Sequence, residues 1–491
     1  MISVSALVLA FIPVTAWAVQ VQNPNLTFPY DTTRDRENVI AIFNSSYDAY
    51  RTYAFGHDQV APSSRRPLDP RNGWGATIVD AMPTMHIMGL TDYFEEALGH
   101  VQTIDFSKSN TPATVSVFES TIRYIGGLLS AYELSGQRYL FLVDRAKQLA
   151  DKLSVAWTRG GAIPYGYVNF NTSSPVKDNS NIAEAGTLTL EWARLSQYTG
   201  DDRYRKLAEA AALKIANNPA PLPGLPAQRI NPSTGEPVGG YTWGGGSDSY
   251  FEYLIKYARL SNTDDGAFVD TWVTAVDSSI KYLMKESTVG HHVYLADLDD
   301  RGLIRHVGSH LACFHAGNWL LGGKLVNNDT IVSLALQLND ACWNTYIGDA
   351  TGIGPDTFAF ASSDGGYTGS TDDVPRSQLQ FYSQHGYYIT GAGYVQRPEV
   401  LESNFYAWRV TGNPTYIDRA RSAVKNFNTY LNVSTGFAGI KDVNSKATTK
   451  DHISLDDYVF NTEAHPLIAP LAKSTYRGHP LRRLAAEKFV K

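Results

Sequence analysis

The sequence predicts an all-α protein in which helical hairpins repeat along one chain and assemble into a closed or stacked α/α array. Three observations carry this reading. Between positions 117 and 134, Phe118, Ile122, Ile125, Leu129 and Tyr132 recur at alternating spacings of four and three, the period of one buried helical stripe. Similar stretches then follow in pairs, separated by breaks such as Thr199-Gly200-Asp201 and Thr411-Gly412-Asn413. Weakly similar hairpins with no linker between them are the mark of a repeat array rather than of separate domains.

Taken in order, residues 34–53 predict the first helix and residues 73–90 the second, with Pro83 awkwardly inside it. The pairs are then 117–134 with 138–157, 181–198 with 203–216, 248–260 with 268–285, 310–321 with 329–346, and 398–410 with 415–431. The Gly- and Pro-rich stretches 219–246 and 352–393 predict loops or short β-hairpins at one rim. Near the end, Tyr458-Val459-Phe460-Asn461-Thr462-Glu463-Ala464-His465-Pro466 reads as a short strand running into a turn.

A chain of 491 residues with 43% hydrophobic side chains can bury a large core. Its net charge of -6 offers no basic surface for nucleic acid, and the 29 Tyr and 9 Trp are read chiefly as core, with sugar stacking as the less common use. Residues 1–21 form an apolar run with Ala16-Trp17-Ala18 as a small-x-small cleavage site. No Lys or Arg precedes Arg34, so no stable membrane anchor is expected. Residues 1–18 are therefore read as a signal peptide and the product as secreted or lumenal. Sequons at Asn25, Asn44, Asn171, Asn328 and Asn432 fit that route. Cys313 and Cys342, an even number in such a chain, are expected to pair, restraining the unfolded state by roughly 3–4 kcal/mol.

The chemistry lies in carboxylates. Glu119 and Arg123 stand one helical turn apart, which spacing alone assigns to an ion pair on a solvated face. Asp248 and Glu252 repeat that spacing with two acids after Gly244-Gly245-Gly246, and their mutual repulsion makes a purely structural role uncomfortable. Arg397-Pro398-Glu399 places Glu399 in a first helical turn, where the positive helix end keeps it ionised. Without company it is an ordinary first-turn glutamate. Glu184 and Glu191 lie seven apart, as acids behind a site or as a solvated stripe. Acids spread over several helix starts suit a cavity at a barrel axis and point to glycoside hydrolysis, in which one acid protonates the leaving oxygen and one base activates water. A hard cation such as Ca²⁺ would find oxygen ligands there, Thr462 among them. His310 and His315 lack a third ligand at convincing spacing and are read as core or substrate-facing.

Six ordered stretches resemble the class I α-1,2-mannosidases, glycoside hydrolase family 47, and especially their secreted fungal members. They run from Asn72 to Ala81 (Asn72-Gly73-Trp74-Gly75-Ala76-Thr77-Ile78-Val79-Asp80-Ala81), from Ser116 to Tyr132 with Glu119 and Arg123, from Gly245 to Leu254 (Gly245-Gly246-Ser247-Asp248-Ser249-Tyr250-Phe251-Glu252-Tyr253-Leu254), from His310 to Phe314, from Arg397 to Ser403 (Arg397-Pro398-Glu399-Val400-Leu401-Glu402-Ser403), and from Phe460 to Pro466 (Phe460-Asn461-Thr462-Glu463-Ala464-His465-Pro466). The resemblance implies one (α/α)7 barrel over residues 34–470, followed by a basic tail at 471–491. It implies an inverting, Ca²⁺-dependent exo-hydrolase, expected to be a monomer, that trims terminal α-1,2-linked mannose from high-mannose N-glycans. Glu119 is then the first-ranked proton donor, Asp248 the second candidate and Glu399 the base. Arg123, Glu252, Arg397, Glu402 and His310 bind substrate or water, Thr462 binds Ca²⁺, and Cys313 with Cys342 form the family's disulfide. Gly246 stands where endoplasmic-reticulum members carry an arginine, which implies broader trimming. The sequence departs from the family between Asn444 and Tyr458, where a helix with an active-site glutamate is reduced to a short stretch, so the last hairpin is expected to lack its inner helix. A catalytically impaired glycan-binding homologue is the alternative this departure leaves open.

Overall fold

The protein is described here by a computed structural model covering residues 21–261 and 266–450. Its helices alternate between an outer and an inner ring. α1 (Thr33–Ala54) is outer, α2 (Ala76–Met88) inner and α3 (Thr91–Thr103) outer. The next inner helix is composite: α4 (Val117–Glu119) passes through a π-helical stretch, Ser120–Ile125, into α5 (Gly126–Leu134), and α6 (Phe141–Leu153) returns outside it. A short α7 (Ile182–Gly186) precedes inner α8 (Thr189–Thr199) and outer α9 (Arg203–Ala216). α10 (Asp248–Ser261) pairs with α11 (Ala267–Ser278), α12 (Phe314–Leu325) with α13 (Asp329–Gly348) and, after a short α14 (Leu379–His385), α15 (Glu399–Thr411) with α16 (Thr415–Tyr430).

The inner helices pack in chain order, α2 on α5, α5 on α8, α8 on α10, α10 on α12 and α12 on α15. On the outside the first and last helices meet, Arg421 of α16 bonding Asp35 of α1 at 2.7 Å. Arg51 of α1 in turn bonds Glu96 of α3 at 2.7 Å. With α4 to α5 taken as one and α7 and α14 left aside, the described residues supply six inner and seven outer helices of an α/α barrel. Residues 444–450 contain no helix and end in a bridge between Ile440 and Lys450. The rest of the stretch expected to be shortened, like Thr462, the signal peptide and the basic tail, lies outside the described residues.

All the expected hairpins form, with three corrections. The helix read over 181–198 is broken at Thr187 and Leu188, so Glu184 and Glu191 do not share a helical face. The helix read over 268–285 ends in a π-turn, Ser279–Leu283, and Lys285 belongs to a strand, Met284–Glu286. Two further helices, α3 and α14, went unread, although Phe94, Ala97, Leu98 and Val101 give α3 a buried stripe. Among the described residues the connections form seven small antiparallel sheets of two or three strands, to which the rim loops 219–246 and 352–393 each contribute two strands, with α14 lying inside 352–393. Trp74, Trp192, Trp243, Trp272 and Trp319 are fully buried, as the core reading of the rings expects. The Cys313–Cys342 disulfide ties the turn ahead of α12 to α13.

Pro83 finds its explanation in the neighbouring inner helix. Having no N–H, it leaves the carbonyl of Val79 without its helical donor. Gly127 of α5 lies directly against that carbonyl, where a Cβ would come within 2.6 Å of the Val79 oxygen. The proline and the glycine together let α2 and α5 approach backbone to backbone. Gly127→Ala is expected to lower stability by roughly 1–3 kcal/mol, because the clash is with main chain that cannot swing aside; thermal unfolding measures it, and an unchanged midpoint would contradict the close approach.

Candidate active site

The acids converge because the inner helices start at the same end of the barrel. Glu119 closes α4, Glu184 lies in the first turn of α7, Asp248 in that of α10, and Glu399 and Glu402 in that of α15. A helix N-terminus carries partial positive charge and unpaired N–H groups, so it tolerates a carboxylate where a helix centre would not. Local caps hold the starts in place: the Ser116 hydroxyl accepts from the Glu119 N–H at 3.2 Å, and Asn181 with Glu184 forms a capping box. Before α10 the chain turns at Gly246 with φ of +84°, a conformation that favours glycine.

These ends enclose one cavity of about 190 Å³ into which Glu119, Glu184, Asp248, Glu252, Glu399 and Glu402 all reach. Gly246 lines it too, and Phe314 and Tyr167 add ring faces. Of the residues singled out from sequence, Glu119, Gly246, Asp248, Glu252, Glu399 and Glu402 are thus brought together. Arg123, Arg397 and His310 stand behind the cavity wall and act on its carboxylates. Thr462 lies outside the described residues.

The cations explain how so much negative charge is held. Arg123 is buried, its Nε bonding Glu119 Oε2 at 2.6 Å and its Nη1 bonding Asp80 Oδ2 at 3.1 Å. The solvated-face reading of the Glu119–Arg123 pair is therefore wrong: the π-helical stretch turns this helix inward on every side. Arg71 is a second partner of Glu119 at 3.3 Å. Burial raises the Glu119 carboxyl, but the two guanidiniums outweigh it and hold the group below its ordinary range. Arg71 is itself placed by Asp58, whose buried carboxylate accepts from the N–H groups of Arg71, Gly73, Trp74, Gly75 and Ala76. Across the cavity, Lys256 pairs with Glu252 in a buried bridge.

Other acids are less well compensated. Burial first, then repulsion from Glu399 and Glu252, pushes Asp248 up to about 7 against the restraint of the Ser249 N–H and Arg397. Glu402 is pushed up by burial and by Glu252 and Glu399. Glu184 is raised by burial and by Glu119. Glu191, read as an acid behind a site or a solvated stripe, is neither cavity-lining nor solvated: it is buried in α8, accepts from Tyr253 Oη at 2.6 Å and rises to about 8 through burial.

His310 does not reach the cavity. Its Nδ1 lies 2.8 Å from Glu399 Oε2 and its Nε2 lies 2.8 Å from Tyr346 Oη. With the proton on Nδ1 the ring donates to the carboxylate and accepts from the tyrosine, fixing the direction of Glu399. Arg397 bonds Asp356 at 2.7 Å through Nε. Sequence reasoning missed Arg71, Asp80, Asp58 and Lys256; only Lys256, one turn after Glu252, carried a readable signal.

Among the described residues no group of three or more His, Cys, Asp or Glu has the geometry of a metal site. The crowding of Asp248, Glu252, Glu399 and Glu402 is nonetheless the electrostatic complement of a hard cation, which prefers oxygen and tolerates a shell of water.

Paired and opposed carboxylates at the mouth of an α/α barrel, one held ionised and one held protonated near neutrality, define a glycoside-hydrolysing class of protein. The comparisons agree. Residues 42–453 match glycosyl hydrolase family 47, and the chain belongs to that family. It is 36% identical over 508 residues to mannosyl-oligosaccharide alpha-1,2-mannosidase 1B of Aspergillus phoenicis, covering 92% of this chain and 97% of that one. It is also 36% identical over 483 residues to a mannosyl-oligosaccharide alpha-1,2-mannosidase of Coccidioides posadasii, covering 89% and 91%. The solved alpha-1,2-mannosidase from Trichoderma reesei superposes with a TM-score of 0.84 at 32% identity, covering 93% of this chain and 96% of that one. The (α/α)7 barrel expected from the sequence is the fold of this chain.

Removing Arg123 tests the electrostatic account. Arg123→Met leaves Asp80 and Glu119 without their shared buried cation, and a loss of roughly 3–5 kcal/mol is expected in chemical denaturation. A variant as stable as the parent would show that the bridge is not the support described.

Proposed function

We propose that the protein is an inverting exo-α-1,2-mannosidase that releases terminal α-1,2-linked mannose from high-mannose N-glycans. The observation that carries this is the convergence of Glu119, Asp248 and Glu399 on one cavity in a family whose named relatives are α-1,2-mannosidases. The leaving oxygen needs a proton and the anomeric carbon needs an activated water on its opposite face. Asp248, raised to about 7, keeps a proton near neutrality and is assigned proton delivery. This reverses the order expected from the resemblance, since Glu119 between two arginines is a poor donor and a good anchor for sugar hydroxyls or an ordered water. Glu399, aimed by His310, is the base that takes the proton of the attacking water. Glu252 and Glu402 orient that water and the sugar, while Arg123 and Arg397 act from behind the wall, on Glu119 and on Asp248.

Ca²⁺ is part of the proposal. Thr462 would hold it, and when bound it would supply a fixed positive charge to sugar hydroxyls and water. Gly246, with no side chain to fill the cavity, supports trimming of several α-1,2 linkages. Secretion and glycosylation extend the reading: no described helix is long and apolar enough to cross a membrane, and Asn25, Asn171, Asn328 and Asn432 are exposed. A second reading, a glycan-binding homologue that does not cleave, is favoured by the shortened stretch after Asn444, of which residues 444–450 contain no helix.

Mannose release from a nine-mannose glycan, lost on chelation, restored by Ca²⁺ and reduced by roughly 10³-fold or more in Glu399→Gln, is expected. Glycan binding without release in the parent protein would favour the second reading. Because the donor must be protonated, kcat/KM is expected to fall as pH rises through about 7, the value assigned to Asp248. Asp248→Asn should remove that alkaline limb along with most of the activity; a limb that survives would return proton delivery to Glu119.

A further inference from the structure

A second cavity, of about 330 Å³, lies beside the first. Only one thickness of chain separates them. Gly245 and Gly246 line the catalytic cavity while Thr242 and Trp243, just before them, line the second. Leu311 faces the catalytic side while its neighbours Ser309 and Ala312 face the other. The partition is tight: a Cβ on Gly244 would come within 3.1 Å of Thr242 Oγ1 and 3.4 Å of Ser309 Oγ.

The lining has the chemistry of a polyol site. Hydroxyls come from Thr242, Ser309, Thr357, Thr368, Ser370 and Thr390. One carboxylate, Asp297, and one guanidinium, Arg305, sit on paired strands in direct register, so the charges offset and a neutral ligand is favoured over an ion. Trp243 and Phe358 supply ring surface, which together with planar polar side chains is what a hexose uses for its faces and its edges. Burial raises Asp297 to about 6, with the Thr242 hydroxyl and Arg305 opposing. The Thr242 hydroxyl also accepts from the Gly244 N–H at 2.8 Å, tying this wall to the glycine run of the catalytic cavity. Gly308 in the lining packs so closely on the Phe358 ring that a Cβ would strike it. Ser370 and Thr390 are exposed, so the cavity opens to the surface.

We propose that this second cavity is a carbohydrate subsite that takes a hexose residue of the oligosaccharide other than the one being cleaved. It rests on the mannosidase reading for the identity of the sugar, and it makes the length of the glycan, not the scissile linkage alone, a determinant of turnover.

The test uses two variants on separate segments, Thr390→Trp at the exposed position of the strand Tyr388–Gly391 and Ser370→Trp on the loop opposite, each narrowing the mouth. In each, the ratio of kcat/KM for a nine-mannose glycan to that for α-1,2-linked mannobiose is expected to fall by roughly tenfold, mostly through KM. An unchanged ratio in both variants would overturn the subsite. If the parent protein releases mannose from neither substrate, the mannosidase reading fails and the cavity is judged by calorimetry with the nine-mannose glycan. Weaker binding to both variants than to the parent then supports the subsite, and equal binding, or none to the parent, overturns it.

Discussion

The constraint on which the architecture depends is the mutual repulsion of carboxylates held in one poorly solvated cavity. Bringing Glu119, Glu184, Asp248, Glu252, Glu399 and Glu402 together is costly unless each is either compensated or kept protonated. The barrel does both. It presents the positive ends of its inner helices to the acids, it backs Glu119 with two guanidiniums and Glu252 with Lys256, and it leaves Asp248 and Glu402 to rise. The unequal treatment of chemically similar groups is what turns an acidic pocket into a proposed acid and base.

The supporting layer depends on backbone as much as on charge. Asp58 gathers five N–H groups between Arg71 and Ala76 and so sets Arg71 beside Glu119. The π-helical stretch carries Arg123 inward, and the close approach of Gly127 to Val79 brings α2, with its Asp80, to the far side of that guanidinium. A defect in either element would act on the cavity at a distance, by loosening the cation that keeps Glu119 ionised.

Much of this was legible in the sequence. Periodic apolar positions and glycine breaks revealed the hairpins, because local spacing determines which face a helix buries. The acids at helix starts were visible as types and spacings, and the structure gathers Glu119, Asp248, Glu252, Glu399 and Glu402 around one cavity. What failed were judgements about direction. The spacing of Glu119 and Arg123 is the same on a solvated face as in a buried bridge, and only tertiary packing shows that Arg123 turns toward Asp80. Glu184 and Glu191 looked like one stripe because nothing in their spacing announces the break at Thr187. Asp58 gave no signal at all, since apart from the Tyr124 hydroxyl its partners are backbone groups, which any sequence possesses.

The account makes Glu399 a base for water on the face opposite the leaving group, with Asp248 protonating the departing oxygen. Its most direct test is the anomeric configuration of the first mannose released, followed by proton NMR before mutarotation. Initial appearance of the β-anomer is the result the account requires; initial release of α-mannose would contradict single-displacement chemistry at this site.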